Sequence, residues 1–286
     1  MKYLDPARFG CQLVLYKTGG LPADGEIKKP LVVFVHGFTA DGQCFQDHAD
    51  YVQRSGYESA IFHYDSYVGI QNAATMLSDR LNSCDSAIRE HGVVFVGHSM
   101  GGLVVRVLIK YHLPKLANYV RGMVLLGTPS DGTLINSRVF RRMLDWGENL
   151  SKEFTLNPYT RTALCRSAKE LIQSDRQKLL KKLNDEERNK PATVPTCTIS
   201  GGKRYIELGG VWEFLANRGL QRILGERNDG LVPEASVNLV TVLGNAENRL
   251  HWNGYPEYWD INHTALAMNQ SIAIKIKDFL RQFAPP

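Results

Sequence analysis

The sequence predicts an α/β protein with a mostly parallel central sheet and helices on both of its faces. Two observations lead to that class. Unbroken apolar runs rich in β-branched residues recur along the chain, and amphipathic patterns of helical period separate them. The length of 286 residues, with 43% hydrophobic and 22% charged side chains, suits one large domain over residues 1–286 with a well-filled core.

The strands are taken in order. Leu31-Val32-Val33-Phe34-Val35, Val93-Val94-Phe95-Val96 and Met123-Val124-Leu125-Leu126 are apolar at every position, as expected for strands covered on both sides. Weaker strand signals lie at Gln12–Tyr16, Ser59–Phe62, Thr196–Ile199 and Asn238–Leu243. The helical patterns fall between them. Ile70, Ala74, Leu77, Leu81, Cys84 and Ile88 form one stripe, and Phe45, Ala49 and Val52 form a shorter one ended by Gly56. Leu266, Ile272, Ile276, Phe279 and Leu280 predict a C-terminal helix.

The alternation breaks after Leu126, where roughly seventy residues pass before the next strand signal. Phe140, Met143, Leu144 and Leu150 make one amphipathic pattern there. Leu164, Ala168, Leu171, Ile172, Leu179 and Leu183 make another. This stretch, about residues 130–195, reads as a helical cap or lid inserted in the domain, with ordinary sheet-covering helices as the alternative.

The totals exclude several classes. No apolar run approaches the ~20 residues of a membrane span, and Met1-Lys2-Tyr3-Leu4-Asp5-Pro6 lacks the apolar stretch of a signal peptide, so a cytoplasmic location is expected. Cys11, Cys44, Cys84, Cys165 and Cys197 are odd in number and widely spaced, without a metal-binding pattern, and read as free thiols. The net charge of +5 resides in one segment: residues 138–190 carry 13 Lys/Arg against 8 Asp/Glu. A surplus so local does not indicate a nucleic-acid partner.

The chemistry-bearing residues stand at strand ends. Gly97-His98-Ser99-Met100-Gly101 follows the run Val93–Val96 directly and opens a helical pattern through Leu103, Val104 and Val107. A G-x-S-x-G pentapeptide in a strand–turn–helix setting is the arrangement that lifts a serine hydroxyl clear of a sheet. Ser99 is therefore the candidate nucleophile, and it needs a base and an acid to orient that base. His263, on a loop before the C-terminal helix, is the candidate base. His112 belongs to the helix behind the elbow, and His251 reads as a surface residue in a polar stretch. Asp229, in Asn228-Asp229-Gly230-Leu231-Val232-Pro233, is the candidate acid, with Asp131 and Asp65 as rivals at other strand ends. For an oxyanion, the Phe38 and Met100 backbone N–H groups are the candidate donors.

As a set, His36-Gly37-Phe38, Gly97-His98-Ser99-Met100-Gly101-Gly102, Leu126-Gly127-Thr128-Pro129, Asn228-Asp229-Gly230-Leu231-Val232-Pro233 and Asn262-His263 resemble the lipase and esterase branch of the α/β-hydrolase superfamily. The resemblance runs from about Leu31 to the C-terminus, in the family's motif order. It implies an α/β-hydrolase fold with a helical cap, and a Ser99–His263–Asp229 triad with oxyanion donors at Phe38 and Met100. It also implies hydrolysis of carboxylic esters through an acyl-enzyme, with neither cofactor nor metal. A phospholipase, thioesterase or acyltransferase would use the same triad, and a non-catalytic binding protein could sit on the same scaffold. The partner expected is a small-molecule ester or lipid with an apolar acyl chain. For the basic outer face of the cap, docking on anionic membranes and a plain solvated helix face both stay open, and the sequence leaves oligomeric state unknown.

Overall fold

The computed structural model describes residues 11–20, 26–38, 40–113, 116–132, 167, 170–171, 178–189, 194–205, 227–244, 249–252, 258 and 260–286. Seven strands make one sheet: β1 (Gln12–Leu15), β2 (Leu31–Val35), β3 (Glu58–His63), β4 (Val93–His98), β5 (Val120–Leu126), β6 (Thr196–Ile199) and β7 (Arg249–Trp252). Their spatial order is β1-β3-β2-β4-β5-β6-β7. Among the described residues only β1 runs antiparallel to its neighbour, and the other strand pairings are parallel.

The apolar runs are buried on both sides because alternate residues feed two separate cores. Leu31, Val33 and Val35 of β2 face one hydrophobic cluster and Val32 and Phe34 face the other. The second cluster is covered by α1 (Gln46–Arg54) and, at the chain's end, by the helix Gln270–Phe283. The first is covered by α2 (Ile70–Leu81), α3 (Asp85–His91), α4 (Met100–Val107) and α5 (Lys178–Asn189).

The single stripe expected over 70–88 is two helices. A 3-10 turn at Asn82–Cys84 divides them, and the Ser83 hydroxyl donates to the Arg80 carbonyl. Asn82, Ser83 and Asp85 compete with the helix for backbone partners, which places the break there.

A second difference concerns 238–243, where a strand was expected. The chain instead forms two short helices, α6 (Glu234–Val237) and α7 (Leu239–Leu243). The Asn238 side chain accepts from the Val240 and Thr241 N–H groups, and Gly244 closes α7 at φ 69°. An N-cap and a left-handed C-cap only six residues apart override the β preference of Val and Thr. Among the described residues the last strand is β7, so His251, expected at the surface, lies within the sheet and is half-buried.

The final helix, α8 (Gln270–Phe283), starts where the Asn269 side chain accepts from the Ser271 N–H. It buries Ile272, Ile276, Phe279 and Leu280 against the sheet, each worth about 1.5–3 kcal/mol of transfer free energy. Helix α5 belongs to the 130–195 stretch, and it buries Leu179, Leu180 and Leu183 in the same cluster as α2 and α4. The Arg188 guanidinium of α5 donates to the Val242 carbonyl of α7 at 2.7 Å. Residues 133–166, which carry the first amphipathic pattern of that stretch, lie outside the described residues. Among the described residues no helix is long and apolar enough to cross a membrane.

Candidate active site

Strand β4 ends at His98 and α4 begins at Met100, so Ser99 alone must reverse the chain. It does so at φ 53° and ψ −124°, the single non-glycine residue with positive φ among the described residues. Such a conformation costs about 1–3 kcal/mol and persists only where its surroundings hold it. The Ser99 N–H donates to the Leu126 carbonyl at 2.8 Å, and the Ser99 carbonyl accepts from the Gly102 N–H at 3.1 Å. The turn is too tight for side chains beside it: a Cβ on Gly97 would lie 2.5 Å from the Gly102 Cα. Met100 is the first residue of α4, so its N–H has no intrahelical acceptor and points from the positive end of the helix dipole.

The end of β2 abuts this turn. A Cβ on Gly37 would lie 2.8 Å from the Ser99 Cβ, so the Gly37–Phe38 backbone runs against the Ser99 side chain. Its position is fixed from behind. The Tyr64 hydroxyl donates to the His36 carbonyl at 2.8 Å, and the two rings stack at 4.3 Å between centroids. Burial pushes the His36 imidazole down to about 4, so it is neutral at physiological pH. The Phe38 ring meets Tyr67 edge-on at 5.3 Å.

Asp229 and His263 form a buried pair, at 1% and 3% exposure, with His263 Nδ1 2.8 Å from Asp229 Oδ2. The carboxylate is oriented by its own turn: Oδ1 accepts from the Leu231 N–H at 3.1 Å and the Val232 N–H at 2.8 Å. Asn228 shapes that turn by accepting from the Gly230 N–H. Asn262 holds the other loop, accepting from the Ala265 N–H at 2.9 Å and the Thr264 hydroxyl at 3.0 Å. Because a carboxylate only accepts, the Nδ1 facing it carries a proton, so in the neutral ring Nε2 is the basic nitrogen.

The pair adjoins the elbow through β5. Leu126, which receives the Ser99 N–H, is followed by Gly127 at φ 56°. A Cβ on Gly127 would lie 3.0 Å from both Asp229 Oδ2 and His263 Nδ1. The rival acids are elsewhere. Asp65 is exposed and caps its own turn at the Tyr67 N–H, and Asp131 is also exposed. His112 ends a π-helical turn behind α4. His251 stands on β7 with Nδ1 2.7 Å from the Thr198 hydroxyl oxygen and Nε2 3.5 Å from a Glu234 carboxylate oxygen.

The sequence model of the family described as "Domain of unknown function (DUF7379)" matches residues 14–281. The chain belongs to that family. No curated protein matches it. Among solved structures, it is similar to the mature lipase BlEst2 of Bacillus licheniformis, at TM-score 0.61 and 20% identity over 90% of this chain and 94% of that one. A lipase-esterase related protein from Clostridium acetobutylicum aligns at TM-score 0.55 and 14% identity, over 94% and 99% of the two chains. The phospholipase PlaB of Legionella pneumophila aligns at TM-score 0.54 and 16% identity, over 74% of this chain and 45% of that one. With the strand order, these similarities establish the α/β-hydrolase fold for this DUF7379 member.

Three buried features of the fold escaped the sequence reading. Gly127 stood in a motif, yet nothing in the string shows that its missing side chain makes room for the Asp229–His263 pair. His98 was only the variable position of the pentapeptide, though a polar residue closing a buried strand was the available signal. Arg106 interrupts the apolar run Leu103–Ile109. It is in fact wholly buried on α4, donating to Glu187 through Nε and Nη2, to Asn184 Oδ1 at 2.7 Å, and to the Ser130 carbonyl.

Proposed function

We propose that this protein is a serine hydrolase of carboxylic esters, working through a Ser99–His263–Asp229 triad and an acyl-enzyme. The observation that carries the reading is the buried Asp229–His263 hydrogen bond beside a serine held at positive φ on a helix start. His263 Nε2 takes the Ser99 proton as Oγ attacks the ester carbonyl. The Phe38 and Met100 N–H groups receive the developing oxyanion, a contribution of about 3 kcal/mol per donor. Asp229 holds the Nδ1–H tautomer and offsets the imidazolium charge. The imidazolium then protonates the leaving alcohol, and water repeats the sequence to release the acid.

Phe38 and Tyr67 give the mouth an aromatic wall, which favours apolar acyl chains at about 0.8 kcal/mol per buried methylene. The lipases and the phospholipase among the structural neighbours agree with that preference. For the 130–195 stretch, the cap reading rests on its described residues Ser167 and Glu170. Ser167 joins it to the body, its hydroxyl accepting from the Gly69 N–H and donating to the Ser66 carbonyl, each at 2.9 Å. The Glu170 carboxylate accepts the Ile70 N–H at 2.6 Å and so caps α2.

The test is covalent labelling with a fluorophosphonate, followed by kcat/KM over p-nitrophenyl esters from acetate to palmitate. One equivalent of label on Ser99 is expected, none in Ser99→Ala, and a rate that rises from acetate to medium chains. A folded Ser99→Ala protein that keeps more than a few per cent of turnover refutes the nucleophile. A steep fall beyond acetate refutes the apolar acyl site.

A further inference from the structure

His98 bridges the nucleophile's strand to the base's loop. It is the last residue of β4, one position before Ser99, and it is buried. Its Nε2 lies 2.7 Å from the His263 carbonyl oxygen, 165 residues away in sequence. A carbonyl can only accept, so His98 carries its proton on Nε2 and donates it.

The consequence shows in the bonds around His263. Its N–H donates to the Asp229 carbonyl at 2.8 Å, its Nδ1 faces Asp229 Oδ2, and its own carbonyl is held by His98. The backbone of the base is thus tied on one side to the acid's turn and on the other to the nucleophile's strand, which leaves Nε2 as the nitrogen for Ser99. The His98 and His263 rings also lie 4.8 Å apart at 44°. A charged His98 would oppose the imidazolium that forms on His263 during the reaction. Burial, and then the neighbouring His263, push the His98 pKa down to about 3, which keeps that ring neutral.

We propose that His98 is a positioning residue for the base: its Nε2–H, bonded to the His263 carbonyl, sets His263 Nε2 at attacking distance from Ser99. The inference rests on the triad reading above. His98 touches no substrate, so its removal acts on the chemical step and not on binding. Proximity effects of this kind are steep, and a misplacement near 1 Å can cost about 10²-fold.

Two substitutions separate positioning from packing. His98→Phe keeps the ring's bulk and loses the donor, whereas His98→Gln loses the ring and keeps an N–H of similar reach. Positioning requires Gln to outperform Phe. A packing role requires the reverse order. The expected result is a kcat lowered about 10- to 100-fold in His98→Phe with KM unchanged, slower fluorophosphonate labelling by the same factor, and recovery to within a few-fold in His98→Gln. Equal or better turnover in His98→Phe than in His98→Gln overturns the inference.

Should His98→Phe fail to fold, His98→Asn replaces it, since its amide stops short of the carbonyl. Gln must then exceed Asn about tenfold in kcat at equal KM, and equal rates overturn the proposal. Wild-type labelling tells the two failures apart. If the wild type takes no label, the triad reading falls and carries this one with it. If the wild type is labelled and His98→Phe matches it in rate, only the role of His98 falls.

Discussion

Replacing Arg106 by Met should destabilise the fold far more than an ordinary core substitution, because of what it leaves behind. The Arg106 and Glu187 side chains are 0% and 5% exposed, with Nη2 3.1 Å from Glu187 Oε2. Met fills much of the volume but supplies no charge, so the Glu187 carboxylate stays buried without its partner. Breaking a buried pair in this way costs about 3–5 kcal/mol, a large part of the ~5–15 kcal/mol that holds a domain folded. At about 2 °C per kcal/mol for a domain of this size, Tm should fall by roughly 6–10 °C. The urea midpoint should fall with it.

The double variant Arg106→Met with Glu187→Leu removes both charges and should regain at least half of that loss, since apolar replacement of a buried pair is often near neutral. Asn184 can still donate to the Ser130 carbonyl, at 3.0 Å, so that group keeps a partner. A Tm change under 2 °C in Arg106→Met, or a double variant no better than the single, would refute the reasoning. In either case the pair would not be what fastens α5 to α4.

Three further outcomes follow from the site. Asp229→Asn should lower kcat about 10⁴-fold by removing the charge that stabilises the imidazolium, while Asp65→Asn and Asp131→Asn act mildly; ester kinetics with the wild type decide it, and a crippled Asp131→Asn would move the acid. Gly127→Ala should cost about 1–3 kcal/mol through its positive φ and lower kcat as well, because the methyl would press on Asp229 and His263; unchanged turnover with unchanged Tm would contradict the placement. The third concerns pH. Burial holds His36 at about 4 and His98 at about 3, below the ordinary value of 6.5. The unfolded chain therefore binds more protons, so stability is full above pH 6.5 and is lost as pH falls towards those values. For His36 alone the loss is on the order of 3 kcal/mol. A urea midpoint flat from pH 6.5 to 4 would contradict it.

What the sequence disclosed was governed by how local each determinant is. Strands β2, β4 and β5 were legible because burial on both faces demands apolar residues at consecutive positions, a signal needing no knowledge of the neighbours. Strand β7 was not. Arg249, Leu250, His251 and Trp252 are only half-buried, and His251 finds its partner across the sheet in the Thr198 hydroxyl. A string of letters shows the polarity and hides the partner. The reverse error occurred at 239–243, where two caps of one residue each outweighed an apolar β-branched run. Composition weighs the five residues of the run, while the chain responds to the two at its ends.

The candidate site divides along the same line. Ser99 and Met100 were legible as candidates since the elbow is one continuous stretch whose glycines are required by its own tight turn, and Phe38 because it follows the apolar run of β2. Asp229 had rivals because an Asp-Gly turn is common, and what separates it from Asp65 and Asp131 is burial against His263, a contact across 34 residues. His98 and Arg106 lie furthest from legibility. The first is a histidine whose partner carbonyl is 165 residues away, and the second is a charge whose carboxylate is 81 residues away. Each is a polar residue beside apolar neighbours in the sequence. A buried polar group is costly unless it is bonded, so each exception in such a run implies a partner somewhere in the fold. In this chain those two partners join α4 to α5 and β4 to the loop of His263.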